Sequence, residues 1–155
     1  MARKRKSGSG NMTTWLILGG IIIAGYFWLR QQLDLIQVGG ISVPFQKLEG
    51  TRVHLTIRIS IINASSLAAK ITGFTGFILS PEGSVLSTVF LTRPANIPRY
   101  QQADLDFTSY IGATAIATEL YNILSSGQQP NWKGYRLKGQ LRVYGLPVPI
   151  ETTLV

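Results

Sequence analysis

The amino-acid sequence predicts a mainly β protein: an N-terminal transmembrane helix followed by a seven-stranded antiparallel β-sandwich with one inserted α-helix. Three observations lead there. Residues 13–29 (TTWLILGGIIIAGYFWL) are uncharged and mostly apolar. The remainder alternates apolar and polar residues in short runs divided by Gly, Pro and Asn, and one later stretch changes to helical spacing.

As a helix, residues 13–29 span roughly 25 Å, near the lower limit for crossing a hydrocarbon core. Trp15, Leu16, Ile17, Leu18, Ile21, Ile22, Ile23, Tyr26, Phe27, Trp28 and Leu29 form the expected anchor, with aromatic residues at both ends. A cleaved signal peptide would need small residues after the apolar run, where Tyr26, Phe27, Trp28 and Arg30 stand instead. A buried helix, apolar all round, would have to be covered on every side. Arg3, Lys4, Arg5 and Lys6 precede the run and only Arg30 follows closely, so a single-pass topology with a cytoplasmic N-terminus and an extracytoplasmic domain is expected. The same basic arm suits anionic lipid or, in the internal membrane of a virus particle, packaged nucleic acid. Residues 1–12 thus read as a basic disordered tail, 13–30 as the membrane helix and 31–155 as one domain.

Strands follow in order. Residues 33–43 form the first, with Gly39 and Gly40 marking a bulge or bend. Residues 51–62 alternate most clearly: Val53, Leu55, Ile57, Ile59 and Ile61 against Arg52, His54, Thr56, Arg58 and Ser60. Residues 70–79 and 84–91 flank a turn at Pro81, Glu82 and Gly83. Residues 92–98, with two prolines, read as a connection crossing between sheets, and residues 100–110 as a fifth strand. Ile116, Leu120, Ile123 and Leu124 then fall on one helical stripe, started near Thr114 and stopped by Gly127. Residues 132–144 and 148–155 close the domain, turned by Gly145, Leu146 and Pro147. Seven short strands at regular spacing with one helix point to an immunoglobulin-like sandwich.

Composition narrows the chemistry. The chain has no cysteine, which excludes disulfides, a thiol nucleophile and Cys-ligated metal. Its net charge of +8 is concentrated at the N-terminus: residues 1–30 carry five bases and no acid, whereas the domain carries ten bases and seven acids. The pI is therefore weak evidence for nucleic-acid binding by the domain. His54, the only histidine, alternates outward into solvent or a cross-strand hydrogen bond, without companions for a metal site. Asp104 and Asp106 share a strand face and read as solvated carboxylates that pair with Arg52 or Arg58 on a neighbouring strand. No catalytic constellation, cofactor loop or metal ligand set emerges, and an enzyme is not expected. Arg136, Lys138, Arg142 and Tyr144 share one strand face with Lys133 nearby, a basic strip with an aromatic that suits anionic surfaces. The bland alternative is a solvated outer face.

Residues 55–63 (LTIRISIIN), 70–79 (KITGFTGFIL) and 135–145 (YRLKGQLRVYG), the last followed by Leu146 and Pro147, occur in an order that resembles the late embryogenesis abundant group 2 family. Its module is also called the water-stress and hypersensitive-response (WHy) domain. The resemblance covers residues 33–155, with one departure: Ala64 follows Asn63 where the family usually has proline. It implies a fibronectin-type sandwich, a single membrane span, and a binding or protective role without catalytic residues. The expectation is a non-enzymatic, membrane-anchored binding or structural module with the lipid bilayer and a protein as partners. A desiccation-type shield protein, or a minor structural component of a virion whose basic tail meets nucleic acid, are the alternatives.

Overall fold

The computed structural model describes residues 11–112 and 118–154. Arg3, Lys4, Arg5, Lys6, Thr114 and Ile116, and the side chains of Trp15, Leu16 and Leu120, lie outside what it describes.

The alternation read from the sequence sets the sheet. In β2 (Arg52–Asn63), Val53, Leu55, Ile57, Ile59 and Ile61 are at most 1% exposed, while the residues between them face outward. β1 (Ile36–Glu49) pairs with β2, with register shifts at Val38/Gly40 and Ser42/Phe45, so Gly39 sits at the expected bulge. β3 (Ala69–Leu79), β4 (Val85–Leu91), β6 (Gln101–Gly112), β7 (Arg136–Val143) and β8 (Leu146–Thr153) fall close to the expected strands. α2 (Thr118–Ser125) ends where Gly127 predicted. Gly127 has φ +75°, its N–H bonds Leu124 O, and Gln128 N–H reaches back to Ile123 O, which closes the helix in a Schellman cap.

Two expectations are corrected. The first is the sandwich. The strands form one antiparallel sheet in the order β1-β2-β6-β4-β3-β7-β8, so there are not two facing sheets. β4 and β6 join what a sandwich would keep apart, through Val89↔Ser109, Phe90↔Thr108 and Leu91↔Phe107. Residues 92–98, expected as a crossing connection, include an eighth strand, β5 (Ala95–Ile97), paired with β3. The sheet curls into a half-barrel, bringing its terminal strands β1 and β8 near each other, and the core fills its inside. Where β4 and β6 splay beyond Val89, the buried Ser87 and Ser109 hydroxyls meet each other and the carbonyls of Thr88 and Tyr110.

The second correction concerns the membrane span. α1 (Asn11–Leu33) is the predicted N-terminal helix, but among the described residues no helix is long and apolar enough to cross a membrane. The last turn belongs to the domain instead. Arg30 Nη1 donates to Pro147 O (3.0 Å), Gln32 Oε1 accepts from Ser66 N (3.0 Å) and Ser66 Oγ (2.8 Å), and Leu33 is 2% exposed. The single-pass topology, its extracytoplasmic domain and the virion-membrane variant are withdrawn with the span.

Candidate functional site

The basic strip is placed by β7 and its two neighbours. Leu137, Leu141 and Val143 turn into the core, so Arg136, Lys138, Gln140 and Arg142 face away from it. On one side, register sets Lys138 opposite Phe77 and Gln140 opposite Thr75 of β3. On the other, Lys138 meets Glu151 and Gln140 meets Pro149 of β8. These residues line an open groove of about 630 Å³ on the outer face of the sheet.

Its charges are unevenly satisfied. Glu151 takes both Arg136 (Nη1–Oε1, 3.5 Å) and Lys138 (Nζ–Oε2, 3.5 Å). Arg142 has no ion-pair partner among the described residues, although its guanidinium lines the same groove. Phe77, 42% exposed, and Pro149 supply an apolar floor. An exposed guanidinium beside apolar surface and hydrogen-bonding Thr75 and Gln140 can bind a carboxylate or phosphate by its planar fork.

Two residues predicted for the strip lie elsewhere. Tyr144 has φ +52° and, with Gly145 at +77°, makes the tight turn between β7 and β8. The turn sits one residue earlier than expected, which ends the period-two geometry at Val143. The Tyr144 hydroxyl donates to Ala68 O, and the exposed side chain does not join the arginines' groove. Lys133 belongs to the loop before β7, where its N–H bonds Asn131 Oδ1 (2.9 Å). That loop, read as strand from residue 132, buries Trp132, whose Nε1 donates to Gln46 Oε1 of β1 (3.1 Å).

The remaining candidates are engaged in the sheet. Arg58 meets Asp106 through two parallel bonds, Nε–Oδ1 at 2.8 Å and Nη2–Oδ2 at 3.1 Å. Hydrogen bonding by Arg58 holds the Asp106 carboxyl below its ordinary value, and the same bond raises Arg58. Asp104 accepts from the Ser60 hydroxyl across the same pair of strands. His54 is no solvated side chain: its ring stacks on Tyr110 (centroids 4.8 Å, 18° apart) and meets Phe45 edge-on (5.6 Å). Phe90 extends the contact beyond Tyr110 at 6.5 Å, giving a row of rings across β1, β2, β6 and β4. The alternation contained this row, but its members are scattered over some sixty residues and only the register aligns them. Among the described residues no group of three His, Asp or Glu gathers as a metal ligand set.

No family model and no curated protein matches the chain. Among solved structures, a β-glucuronidase of glycoside hydrolase family 2 matches at 12% identity and TM-score 0.44, over 76% of this chain and 10% of that one. A protein from Archaeoglobus fulgidus matches at 9% identity and TM-score 0.47, over 76% of this chain and 97% of that one. This chain therefore spans about a tenth of the glucuronidase it matches.

Proposed function

We propose that the protein is a non-catalytic binding module whose outer groove on β3, β7 and β8 receives an acidic segment of a partner protein. One observation carries this reading: among the described residues Arg142 has no ion-pair partner, in a groove whose one carboxylate, Glu151, is already shared by Lys138 and the neighbouring Arg136. An incoming carboxylate gains a bidentate, charge-assisted partner there at little cost, because the guanidinium is already exposed. The non-catalytic part rests on the other polar groups. His54 is stacked in the aromatic row, Asp106 is held by Arg58, and Asp104 accepts from Ser60.

The test is binding of an immobilised oligoglutamate peptide to the full chain. Arg142→Glu weakens binding about tenfold or more, and added salt weakens the wild type in parallel. Arg52→Glu, on a distant strand, leaves it near wild type. Equal losses in both variants would reduce the effect to net charge and sink the site.

A further inference from the structure

α1 leaves the sheet domain apolar on every side. Ile21, Ile22 and Ile23 are 64%, 70% and 59% exposed, and Tyr26, Phe27 and Trp28 are 51%, 63% and 49% exposed. Successive helical residues stand about 100° apart, so each triplet spreads over more than half the circumference. With Ile17 and Leu18, these side chains leave on the order of 800 Å² uncovered, taking about 150–250 Å² for each large side chain. That is more than the few hundred Å² a monomer commonly leaves in one patch. One neighbouring helix covers part of it, within the ~800 Å² that each partner contributes to a standard interface.

The base of the helix is fixed to the domain by Arg30, Gln32 and Leu33, so the apolar part projects from a set point. A second copy of the helix brings the same exposed apolar side chains, so each covers an open face of the other. Gly19, Gly20 and Gly25 leave open space where side chains would otherwise hold a neighbouring helix away.

We propose that α1 is a self-association helix: copies of this chain pack α1 against α1, antiparallel, with their sheet domains at opposite ends. The direction follows from size. Packed helices lie about 8–10 Å apart, and a domain of this length is roughly 35 Å across. Two domains at the same end would force the helices apart just where Tyr26, Phe27 and Trp28 need cover. Antiparallel overlap of the whole helix, Asn11–Leu33, centres on Ile22. It sets Gly19 of one copy level with Gly25 of the other, and Leu18 level with Tyr26, all on the side of the helix that carries Ile22.

The native chain has no cysteine, so single cysteines report cleanly. Full-length protein is examined by sedimentation velocity without detergent across a micromolar range, and by copper-phenanthroline oxidation. The expected result is a dimer. Ile22→Cys forms a disulfide-linked pair, Leu18→Cys alone does not, and Leu18→Cys mixed with Tyr26→Cys does. Leu18→Asp with Ile22→Asp yields a monomer with unchanged circular dichroism, because both positions are exposed. A monomer at every concentration, an undefined aggregate, or an oligomer that survives the two aspartates overturns the proposal. So does a Leu18→Cys homodimer, which would mean parallel packing. Loss of the Ile22→Cys link on adding phosphatidylcholine vesicles, with the chain recovered on them, would make lipid the occupant and overturn it equally.

Discussion

Asn63 shows how much one side chain decides at the end of a strand. It is fully buried, and its Nδ2 donates toward three carbonyls, Leu67 (2.7 Å), Ile97 (3.1 Å) and Pro98 (3.1 Å). Its Oδ1 accepts from Ser65 N (3.1 Å) and Ser65 Oγ (2.6 Å). The amide thus ties the β2–β3 turn to the strand-β5 segment with every polar atom satisfied. Asn63→Asp would set a carboxylate against carbonyl oxygens in the core, and a loss of about 3–5 kcal/mol is expected in urea unfolding. A loss under about 1 kcal/mol would show that water takes over these bonds. The sequence marked Asn63 as the break after the strand with the clearest alternation. Its three acceptors were out of reach, because two of them lie more than thirty residues away.

Tyr100 poses the opposite problem. It holds φ +56° while 69% exposed, so its ring brings little packing to offset a left-handed backbone. Tyr100→Asn is expected to raise stability by about 0.5–1 kcal/mol, read as a higher thermal midpoint. A lower midpoint would mean that the ring is held by contacts at this surface after all.

Asp106 carries the acid dependence. Its carboxyl is lowered from 3.8 by the Arg58 bond, so the folded state binds its proton less readily than the unfolded chain. The resulting stability is complete above the unfolded value and is lost as pH falls below 3.8 and through the lowered folded value. Unfolding free energies measured at neutral and strongly acid pH should therefore fall further in wild type than in Asp106→Asn. Equal falls would remove Asp106 from the acid response.

Among the elements, β3 and β7 show why a strand can be legible and its pairing not. Alternation located both strands, but they are joined by a register that spans some seventy residues. Gly76 and Gly139 stand opposite each other in it. A Cβ on Gly139 would lie 2.5 Å from Thr75 O and 2.6 Å from Gly76 Cα, and one on Gly76 would lie 2.5 Å from the Phe74 ring. Phe74 occupies the space that the pair leaves free and meets Phe107 edge-on at 5.0 Å. Gly139→Ala must push against backbone, so it is expected to cost about 1–3 kcal/mol, more than the same change at Gly40, where nothing lies within 4 Å. Thermal midpoints of the two variants make the comparison, and equal midpoints would remove the close approach as the cause. The candidate groove depends on the same register, which is why the four strip residues were partly predictable but Phe77, Pro149 and Glu151 were not.

At the scale of the whole molecule, a sandwich and a curled single sheet share the same alternation, because both bury one side of every strand. Three residue pairs between β4 and β6 distinguish them here, too local a feature to read from a hydrophobic pattern. The N-terminal helix was legible as a helix, and its apolar character is exposed as the composition implied. What the pattern could not locate is the point where the helix stops being independent and starts being domain. That point is the turn of Arg30, Gln32 and Leu33, which bonds to Pro147 and Ser66 and enters the core. Everything described before it is solvent-facing or nearly so, and so adds little to the stability of the sheet. Deleting residues 1–28 is therefore expected to leave a folded domain whose thermal midpoint lies within a few degrees of the full chain. Leu33→Ala in the full chain, which empties a core position, should instead lose about 2–5 kcal/mol. If the deletion unfolds the domain, α1 supports the sheet through more than its last turn. If Leu33→Ala has no effect, the junction is a loose tether, and the projecting helix has no fixed direction from which to meet another copy.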